Sequence, residues 1–527
     1  MTSEMHPSRW GDPTMAGELP ESTRDLVEIA LGIQETPAVG EVSLPPSRLQ
    51  PGLLDELAQL LGAEHVLTDD EQRRLRTRGK STPDLLKARA GDLSDAPDAV
   101  VRPGSHADVE NLISFAVRHH VALVPFGGGT CVTGGLAARR EGYAGLLSVD
   151  LVRLKALRDV DRRSMTAVLE PGLRGPEAEA LLAEHGLVLG HYPQSFEYAS
   201  IGGFAATRSS GQASAGYGRF DAMVVGLTVA TPQGTLDLGS SPANAAGPDL
   251  RQLVLGSEGT FGIITAVRVR VKELPAEKVY EAWQFGSFAK GADAMRHLAQ
   301  NNLMPTVLRL SDEAETALNL ASQSDVGGEA NSGCLMIVGH EGPADASATG
   351  SVVGRRALVA DALTRLGGVS LGEERGTAWA EGRFHAPYLR DSLLDVGVLA
   401  ETLETATFWA DRERVYTAVR DALTHELGEQ TIVLCHISHV YETGCSLYFT
   451  VATGQDEDPL GRWAAAKAAA SQAMIDAGAT ITHHHAVGTD HLPWFAQEIG
   501  PVGVSILRSV KDGLDPTGVL NPGVMIP

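Results

Sequence analysis

The chain of 527 residues carries a formal net charge of -23 at pH 7 and contains four cysteines. Because an acidic chain is repelled by nucleic-acid phosphates, this charge argues against a nucleic-acid partner. Four cysteines are too few for a disulfide framework at this length, and no apolar run is long enough to span a bilayer. The N-terminal residues lack an apolar signal core, so we expect a cytoplasmic protein. The length of the chain predicts two or three domains.

The first part of the chain is rich in proline and charged residues, with short helical patches at residues 52–61 and 69–78. We predict a helical extension over residues 1–92 that packs on the next domain. A βαβ-like pattern begins near residue 99, where a short strand precedes a helix. Ser105 is predicted to cap this helix, with Asp108 completing a capping box.

Strands dominate the region 93–274. They are predicted at residues 99–102, 121–125, 145–150, 165–169, 223–230 and 262–271. Since the helices between them are short, we predict an α+β domain rather than a doubly wound sheet. Helices and strands alternate over residues 275–478, which predicts an α/β cap domain that faces the substrate. The turn-rich residues 479–527 are predicted to return to the first domain.

A glycine-rich segment, PFGGGTCVTGG at residues 125–135, directly follows a predicted strand. Consecutive glycines allow several backbone N–H groups to converge on one anion, such as a pyrophosphate. Neither a Walker loop nor a dinucleotide-binding motif in good context fits this segment. Taken alone, it is equally compatible with a tight turn.

Two further segments, at residues 194–224 and 255–265, combine small residues with flanking buried strands. The order and spacing of the three segments resemble the FAD-binding domain of the vanillyl-alcohol oxidase superfamily. The resemblance implies FAD, with its pyrophosphate on the first segment, its flavin and ribityl chain along the second and its adenine side along the third. Since residues 125–135 contain no histidine, a covalent flavin link in this loop is not expected. The implied cofactor residues are Pro125, Phe126, Gly127, Gly128, Gly129, Thr130, Cys131, Gln194, Ser195, Phe196, Glu197, Tyr198, Ala199, Ser200, Thr207, Arg208, Ser209, Ser210, Glu258, Gly259, Thr260, Phe261, Gly262, Ile263 and Ile264.

Three consecutive histidines, His483, His484 and His485, stand in the segment GATITHHHAVGTDHLPW. They are compatible with proton transfer or anion binding, with a metal site, or with a surface cluster. On a strand, His483 and His485 would face one side and His484 the other. D-2-hydroxyacid dehydrogenases of this fold bind a metal through a Gly-Asp-Gly-Asn stretch and a Gly-Glu-His-Gly stretch. Because neither stretch is present here, no metal is expected.

The same region closely resembles alkyldihydroxyacetonephosphate synthase, also called alkylglycerone-phosphate synthase. Tyr448 falls at the family's catalytic tyrosine, and the triplet falls at its three histidines. Arg390, in a Tyr-Leu-Arg-Asp context, falls at the family's substrate-binding arginine, and Arg309 falls at a further arginine. The N-terminal Arg-Trp-Gly-Asp-Pro stretch around Trp10 is also similar to the family's Trp-Gly opening. Departures in the flanking motifs indicate a bacterial member of the family.

The resemblance implies that an acyl-dihydroxyacetone phosphate exchanges its acyl group for a fatty alcohol through an adduct on flavin N5, without net redox change. It also implies a homodimer that takes lipid-like substrates and contacts a membrane transiently. Tyr448 would act as a base only with positive charge nearby, which the histidines and Arg390 could supply. A packed core role for Tyr448 and an interface role for Arg309 remain open. Other open functions are an FAD-dependent oxidase or dehydrogenase of a 2-hydroxyacid or another alcohol, and a non-catalytic FAD-binding or lipid-carrier protein.

Overall fold

The computed structural model describes residues 4–15, 17, 19, 21–32, 44–318, 333–342 and 351–527. Parts of the predicted N-terminal extension and of the predicted cap domain therefore lie outside the described residues. The helices are α1 (Glu21–Ala30), α2 (Pro51–Leu61), α3 (Asp70–Leu75), α4 (Thr82–Arg89), α5 (His106–His119), α6 (Gly175–Ala183), α7 (Ile201–Ala206), α8 (Ser214–Tyr217), α9 (Phe220–Met223), α10 (Arg251–Val254), α11 (Phe288–Gln300), α12 (Glu313–Ala317), α13 (Val352–Arg365), α14 (Glu374–Gly382), α15 (Ala386–Asp395), α16 (Arg412–Leu427), α17 (Pro459–Asp476) and α18 (Leu492–Leu514). The strands are β1 (Val66–Leu67), β2 (Ala99–Val101), β3 (Ala122–Phe126), β4 (Leu146–Asp150), β5 (Leu157–Asp161), β6 (Thr166–Leu169), β7 (Leu187–Val188), β8 (Val224–Thr231), β9 (Gly234–Leu238), β10 (Ile263–Arg270), β11 (Lys272–Glu273), β12 (Glu277–Phe285), β13 (Val307–Ser311), β14 (Cys334–Gly342), β15 (Val369–Gly372), β16 (Val398–Phe408), β17 (Ile432–Ile437) and β18 (Gly444–Gly454).

The first sheet has the strand order β1-β2-β4-β3, in which β2, β4 and β3 run parallel and β1 is antiparallel. Helix α5 crosses between β2 and β3 and buries its apolar stripe in the core beneath this sheet. Its predicted cap is present, because Ser105 Oγ accepts a hydrogen bond from the amide of Asp108 at 3.1 Å. The second hydrogen bond of the predicted capping box is made by a different residue. The Asp108 carboxylate accepts from the amide of Gly104, at 2.8 Å, and not from the amide of the cap residue Ser105.

The second sheet is antiparallel, with the strand order β5-β6-β10-β8-β9, and completes the first domain. The C-terminal segment returns to the first sheet beside β3. The amide of Leu123 donates to the carbonyl of Val519, and the amide of Asn521 donates to the carbonyl of Leu123, both at 2.8 Å. The last residues of the chain are therefore held against the strand that leads into the glycine-rich loop.

The third sheet forms the cap domain. It has seven antiparallel strands in the order β15-β12-β14-β13-β17-β18-β16. Helices α11, α13, α16 and α17 bury their apolar faces against one side of it. Because side chains alternate along a strand, the other side of β16, β17 and β18 faces a cavity. Among the described residues, no helix combines the length and the apolar character that a bilayer crossing requires.

Candidate active site

One cavity, with a volume of about 470 Å³, lies between the first domain and the cap sheet. The three glycine-rich segments found in the sequence line its first-domain side. Strands β16, β17 and β18 line the opposite side, and helices α1 and α15 line one end. The structure therefore brings the predicted cofactor segments and the predicted catalytic residues around a single space.

The glycine-rich loop follows the end of β3 and packs against the segment that begins α7. A Cβ atom on Gly127 would lie 2.2 Å from Oγ of Ser200, and one on Gly128 would lie 1.9 Å from the carbonyl oxygen of Tyr198. Any side chain at these positions would collide with that segment. The amides of Gly128, Gly129 and Thr130 make no hydrogen bond within the described part of the chain. These free N–H groups suit an anion, as a pyrophosphate requires.

The predicted cofactor residues fall into two groups. Most of them line the cavity, but the side chains of six lie away from it and hold the surrounding segments together. The Arg208 guanidinium, for example, binds Asp221 at 3.1 Å and the carbonyls of Gln252 and Leu255. Tyr198 Oη accepts a hydrogen bond from the amide of Asp12 at 3.1 Å. The residues away from the cavity are Phe196, Glu197, Tyr198, Arg208, Thr260 and Phe261.

Glu258 connects the third glycine-rich segment to the loop that carries the three histidines. Its Oε2 accepts hydrogen bonds from the amides of Val487 at 3.1 Å and Gly488 at 2.8 Å. Burial raises the pKa of this carboxyl to about 7. Its Oε1 is buried and has no partner among the described residues. The sequence did not predict this connection, which involves residues far apart in the chain.

Tyr448 lies on β18 with its ring on the cavity face. Its neighbours Leu447 and Phe449 point the other way into the cap core and are fully buried. The Tyr448 ring stacks on His436, with centroids 4.8 Å apart, and lies 6.0 Å from the ring of His484. The strand alternation therefore places Tyr448 on the cavity rather than in the core, where its flanking residues pack.

The three histidines lie on a bent loop and not on a strand. Their backbone amides all converge on Glu404 of β16. His483, His484 and His485 donate to Glu404 Oε1 at 3.0, 3.1 and 3.0 Å, and Thr482 Oγ1 donates to the same oxygen at 2.6 Å. The alternation expected for a strand therefore does not apply. The geometry of this loop depends on a carboxylate whose hydrogen bonds to the loop were not predicted from the sequence.

The imidazole rings of this loop are packed closely with His439. The ring nitrogens of His439, His483 and His484 lie within 4.8 Å of one another. The rings of His439 and His483 are stacked, however, with centroids 4.9 Å apart and planes 20° apart. Because a metal ion lies close to the plane of each imidazole that binds it, a stacked pair is a poor pair of ligands. The ring geometry favours hydrogen bonding and proton transfer at this cluster over metal binding.

Electrostatics around Tyr448 differ from the sequence-based expectation. Burial lowers the pKa of His483 and brings the pKa of His485 to about 3, so both rings are neutral at pH 7. Burial also raises the pKa of Tyr448, and the carboxylates of Glu401 and Glu404 add to this increase more than Arg390 opposes it. The expected positive charge from His483 and His485 is therefore missing. Tyr448 is therefore a neutral phenol, whose hydroxyl can donate a hydrogen bond.

The two predicted substrate-binding arginines differ in their contacts. Arg309 lines the cavity, but its guanidinium is already bound to Glu315 Oε1 at 2.6 Å and to Ser311 Oγ at 2.7 Å. Although burial opposes ionisation of Glu315, Arg309 and His436 lower its pKa to about 2. In contrast, Arg390 donates only to the carbonyl of Lys80, at 2.7 Å. Its Nε and Nη2 are buried and have no partner among the described residues.

Several polar cavity residues were not predicted from the sequence. Gln212 donates to Gln194 Oε1 at 3.2 Å and to the carbonyl of Arg383 at 3.0 Å. The Arg383 guanidinium lies 5.0 Å from the ring centroids of Tyr192 and Phe384, and its Nε and Nη1 have no partner among the described residues. Gln212 lies inside the second glycine-rich segment and could have been included. No motif in the sequence distinguishes Arg383 from the other arginines.

Comparison with known protein families agrees with this geometry. Residues 97–238 match the family model described as FAD binding domain, and residues 274–525 match that described as FAD linked oxidases, C-terminal domain. Together with the glycine-lined cradle, these matches define a two-domain FAD-dependent enzyme of the vanillyl-alcohol oxidase fold. FAD fits the cradle, because the loop offers free amides to a pyrophosphate and leaves no room for side chains.

The relatives identify the family within this class. The chain is 32% identical to the alkyldihydroxyacetonephosphate synthase of Dictyostelium discoideum, covering 94% of this chain and 84% of the relative. It is 33% identical to that of Trypanosoma brucei brucei, covering 92% and 82%. A solved structure of an alkyldihydroxyacetonephosphate synthase superposes with a TM-score of 0.82 at 29% identity, covering 98% of both chains. The chain belongs to the alkyldihydroxyacetonephosphate synthase family.

Proposed function

We propose that this FAD-dependent enzyme exchanges the acyl group of an acyl-dihydroxyacetone phosphate for a fatty alcohol. The bond between the substrate carbon and the acyloxy oxygen breaks, and a bond to the alcohol oxygen forms. The products are an ether-linked alkyl-dihydroxyacetone phosphate and a fatty acid, with no net oxidation or reduction. The observation that carries this proposal is a single cavity that joins the FAD cradle, unpaired guanidinium donors and an apolar arm.

The apolar arm lies between helices α1 and α15 and strands β17 and β18. Aliphatic side chains from all four elements line this part of the cavity. A long alkyl chain enclosed there would gain about 0.8 kcal/mol for each buried CH₂ group. The same arm can accept the acyl chain that leaves and the alcohol chain that enters. The lining residues are Val27, Leu31, Leu393, Ile432, Leu434 and Ala452.

We assign the proton transfer to His484 and Tyr448. His484 Nδ1 lies 3.3 Å from Glu404 Oε2, so the carboxylate favours the tautomer with its proton on Nδ1. The Nε2 lone pair is then free to take a proton from the carbon beside the substrate ketone. Tyr448, a neutral phenol beside this ring, donates to a substrate oxygen. His483 and His485 position His484 within the loop. When bound, FAD supplies an electrophilic centre for the exchange.

The experiment combines the purified protein with palmitoyl-dihydroxyacetone phosphate and hexadecanol. Mass spectrometry is expected to detect the alkyl ether and free palmitate in equal amounts. Formation of the ether should require both substrates and added or retained FAD. Release of palmitate without ether, or reduction of the flavin by a D-2-hydroxyacid with steady turnover, would contradict the proposal and favour an FAD-linked oxidase or dehydrogenase.

We further propose that FAD is bound without a covalent link. Burial raises the pKa of the Cys131 thiol to about 11, so the one cysteine in the cradle stays protonated and unreactive. Acid precipitation is expected to leave yellow FAD in the supernatant. A yellow pellet that retains the flavin after washing would contradict this proposal.

We also propose a cytoplasmic homodimer that contacts membranes transiently. Four free cysteines are compatible with a reducing compartment. Helix α1 carries Val27, which lines the cavity, and Ile29, which is 85% exposed, so an apolar side chain is available to a membrane surface two residues from the cavity lining. Light scattering should give twice the chain mass, and sedimentation with phosphatidylcholine vesicles should be weak and reversed by Ile29→Ser. A monomer, or equal sedimentation of the variant, would contradict these two points.

A further inference from the structure

The N-terminal strap, residues 4–12, is fixed across the cap helix that carries Arg390. Arg9 binds both carboxylate oxygens of Asp395 at 2.8 and 2.9 Å. The amide of Trp10 donates to Asp391 Oδ2 at 2.6 Å. Lys80 Nζ donates to the carbonyls of His6 at 2.6 Å and Pro7 at 3.1 Å. The strap therefore holds both sides of Arg390, through Asp391 on helix α15 and through Lys80.

Trp10 places its indole inside the cavity. The residue is only 4% exposed, and its ring packs edge-on against Tyr198 with centroids 5.8 Å apart. Trp10 lines the cavity, and its Nε1 is buried without a hydrogen-bond partner among the described residues. A buried N–H group that lacks an acceptor is unfavourable, so its presence indicates that a ligand supplies the acceptor.

Arg390 has two further donor nitrogens that are buried and lack a hydrogen-bond partner among the described residues. Its Nη1 is held by the carbonyl of Lys80, which leaves Nε and Nη2 for a ligand. The cavity therefore contains three buried N–H donors from Trp10 and Arg390, and the buried ammonium of Lys80 lies behind them. A phosphate monoester has several terminal oxygens and a negative charge, which such a group of donors suits better than an ester or ketone oxygen does.

We propose that Trp10 donates its indole N–H to the phosphate group that Arg390 binds, so that the N-terminal strap forms one wall of the substrate's phosphate site. The inference rests on the proposed function for the identity of the substrate. Helix α15 carries both Arg390 and Leu393, which lines the apolar arm. The site therefore lies where the polar head of a lipid-like substrate meets its chain.

The test compares the FAD-loaded wild type with Trp10→Phe, Arg9→Ala and Trp494→Phe. Trp10→Phe removes the N–H and keeps an aromatic ring. Arg9→Ala breaks a partly exposed ion pair that anchors the strap, and it removes no side chain that lines the cavity. Trp494 lies on α18 outside the cavity and controls for the loss of a tryptophan. Calorimetry measures the Kd for dihydroxyacetone phosphate, and reconstitution of the apoprotein measures the Kd for FAD.

Trp10→Phe is expected to raise the Kd for dihydroxyacetone phosphate about tenfold, as loss of one hydrogen bond to a charged group does. Arg9→Ala should raise it about threefold, and Trp494→Phe should not change it. The Kd for FAD should stay the same in all three. The KM for palmitoyl-dihydroxyacetone phosphate, divided by the KM for its analogue without phosphate, should also rise in Trp10→Phe.

An unchanged Kd for dihydroxyacetone phosphate in Trp10→Phe would overturn the inference. A raised Kd for FAD alone would also overturn it, because the indole would then serve the cofactor's pyrophosphate. If the wild type binds dihydroxyacetone phosphate through Trp10 but forms no ether, the proposed function fails and the inference stands. If the wild type does not bind dihydroxyacetone phosphate, the inference fails whatever the enzyme's activity.

Discussion

The two predicted substrate-binding arginines differ in how many of their guanidinium donors are already hydrogen-bonded. Arg390 has free donors, and Arg309 is bound to Glu315 and Ser311. Because lysine cannot reproduce a guanidinium fork, Arg390→Lys is expected to raise the KM for the phosphorylated substrate about tenfold. Arg309→Lys is expected to lower the unfolding free energy by about 1–3 kcal/mol, with KM changed less than threefold. Steady-state kinetics and thermal unfolding measure both effects.

The opposite pattern would contradict this difference. If Arg309→Lys raised KM as much as Arg390→Lys, Arg309 would contact the substrate directly. The structure would then require Glu315 to release Arg309 when the substrate binds.

Tyr448 is the phenol closest to the proposed base. Its conversion to Phe removes one hydroxyl and leaves the stacked ring in place. We expect kcat to fall about 100-fold or more, as loss of a group that transfers a proton does, with the flavin content unchanged. Tyr416→Phe is the matched control, because Tyr416 Oη binds Asp312 outside the cavity. Equal kcat values in Tyr448→Phe and the wild type would rule out a catalytic role for the hydroxyl.

Among the secondary-structure elements, strand β16 is joined to the loop of residues 483–485 by the carboxylate of Glu404. Burial opposes ionisation of Glu404, but His484 and the neighbouring histidines hold its pKa well below the usual value. Glu404→Gln would place an NH₂ group against the loop amides that now donate to the carboxylate. We expect a loss of about 3 kcal/mol in unfolding free energy and a fall in kcat, both partly restored in Glu404→Asp.

Thermal unfolding and kcat, measured on the two Glu404 variants together, check this prediction. A Glu404→Gln protein with normal stability and normal kcat would show that the loop keeps its geometry without the carboxylate. His484 would then not depend on Glu404 for its tautomer.

Strand alternation explains which parts of the site could be predicted from the sequence. On β18 the alternation of Leu447, Tyr448 and Phe449 is sufficient to place the tyrosine on one face. It does not show which face meets the cavity, because that depends on the helices that cover the other side. The stretch around Trp10 was noticed through its resemblance to the family. The contacts of Trp10 and Glu404 could not be predicted from local patterns, however, since their partners lie far away in the chain.

The six strands predicted for the first domain are present, because buried strands are short apolar runs between turn residues. The more exposed strands β5 and β9 were not predicted, since they lack such a run. Ser105 caps the predicted helix, and helices and strands alternate over residues 275–478 as expected. The seven-stranded antiparallel order of the cap sheet was not predicted. Strand order depends on long-range pairing, which local periodicity does not encode.

At the scale of the whole molecule, buried histidines make the fold sensitive to acid. Burial lowers the pKa of His191 and His485 to about 3. Below pH 6.5 the unfolded chain takes up these protons and the folded chain does not, so stability falls as pH decreases. Each residue contributes a loss of about 2 kcal/mol at pH 5. Glu258, with its pKa raised to about 7, offsets part of this loss.

Thermal unfolding of the FAD-loaded protein at pH 7 and pH 5 measures the net effect, and a lower Tm is expected at pH 5. His191→Gln should reduce the difference, because glutamine does not titrate in this range. A Tm that is equal or higher at pH 5 would show that these imidazoles are protonated in the folded state.

The enzyme is proposed to exchange an acyl for an alkyl group without net oxidation or reduction of its flavin. The most direct test of this exchange is an anaerobic reaction of the protein with palmitoyl-dihydroxyacetone phosphate and deuterated hexadecanol, followed by absorbance and mass spectrometry. We predict deuterated alkyl-dihydroxyacetone phosphate in large molar excess over FAD, with the flavin oxidised when the substrates are exhausted. If the amount of product did not exceed the amount of FAD, or if the flavin remained reduced without an added oxidant, the proposed redox-neutral exchange would be wrong.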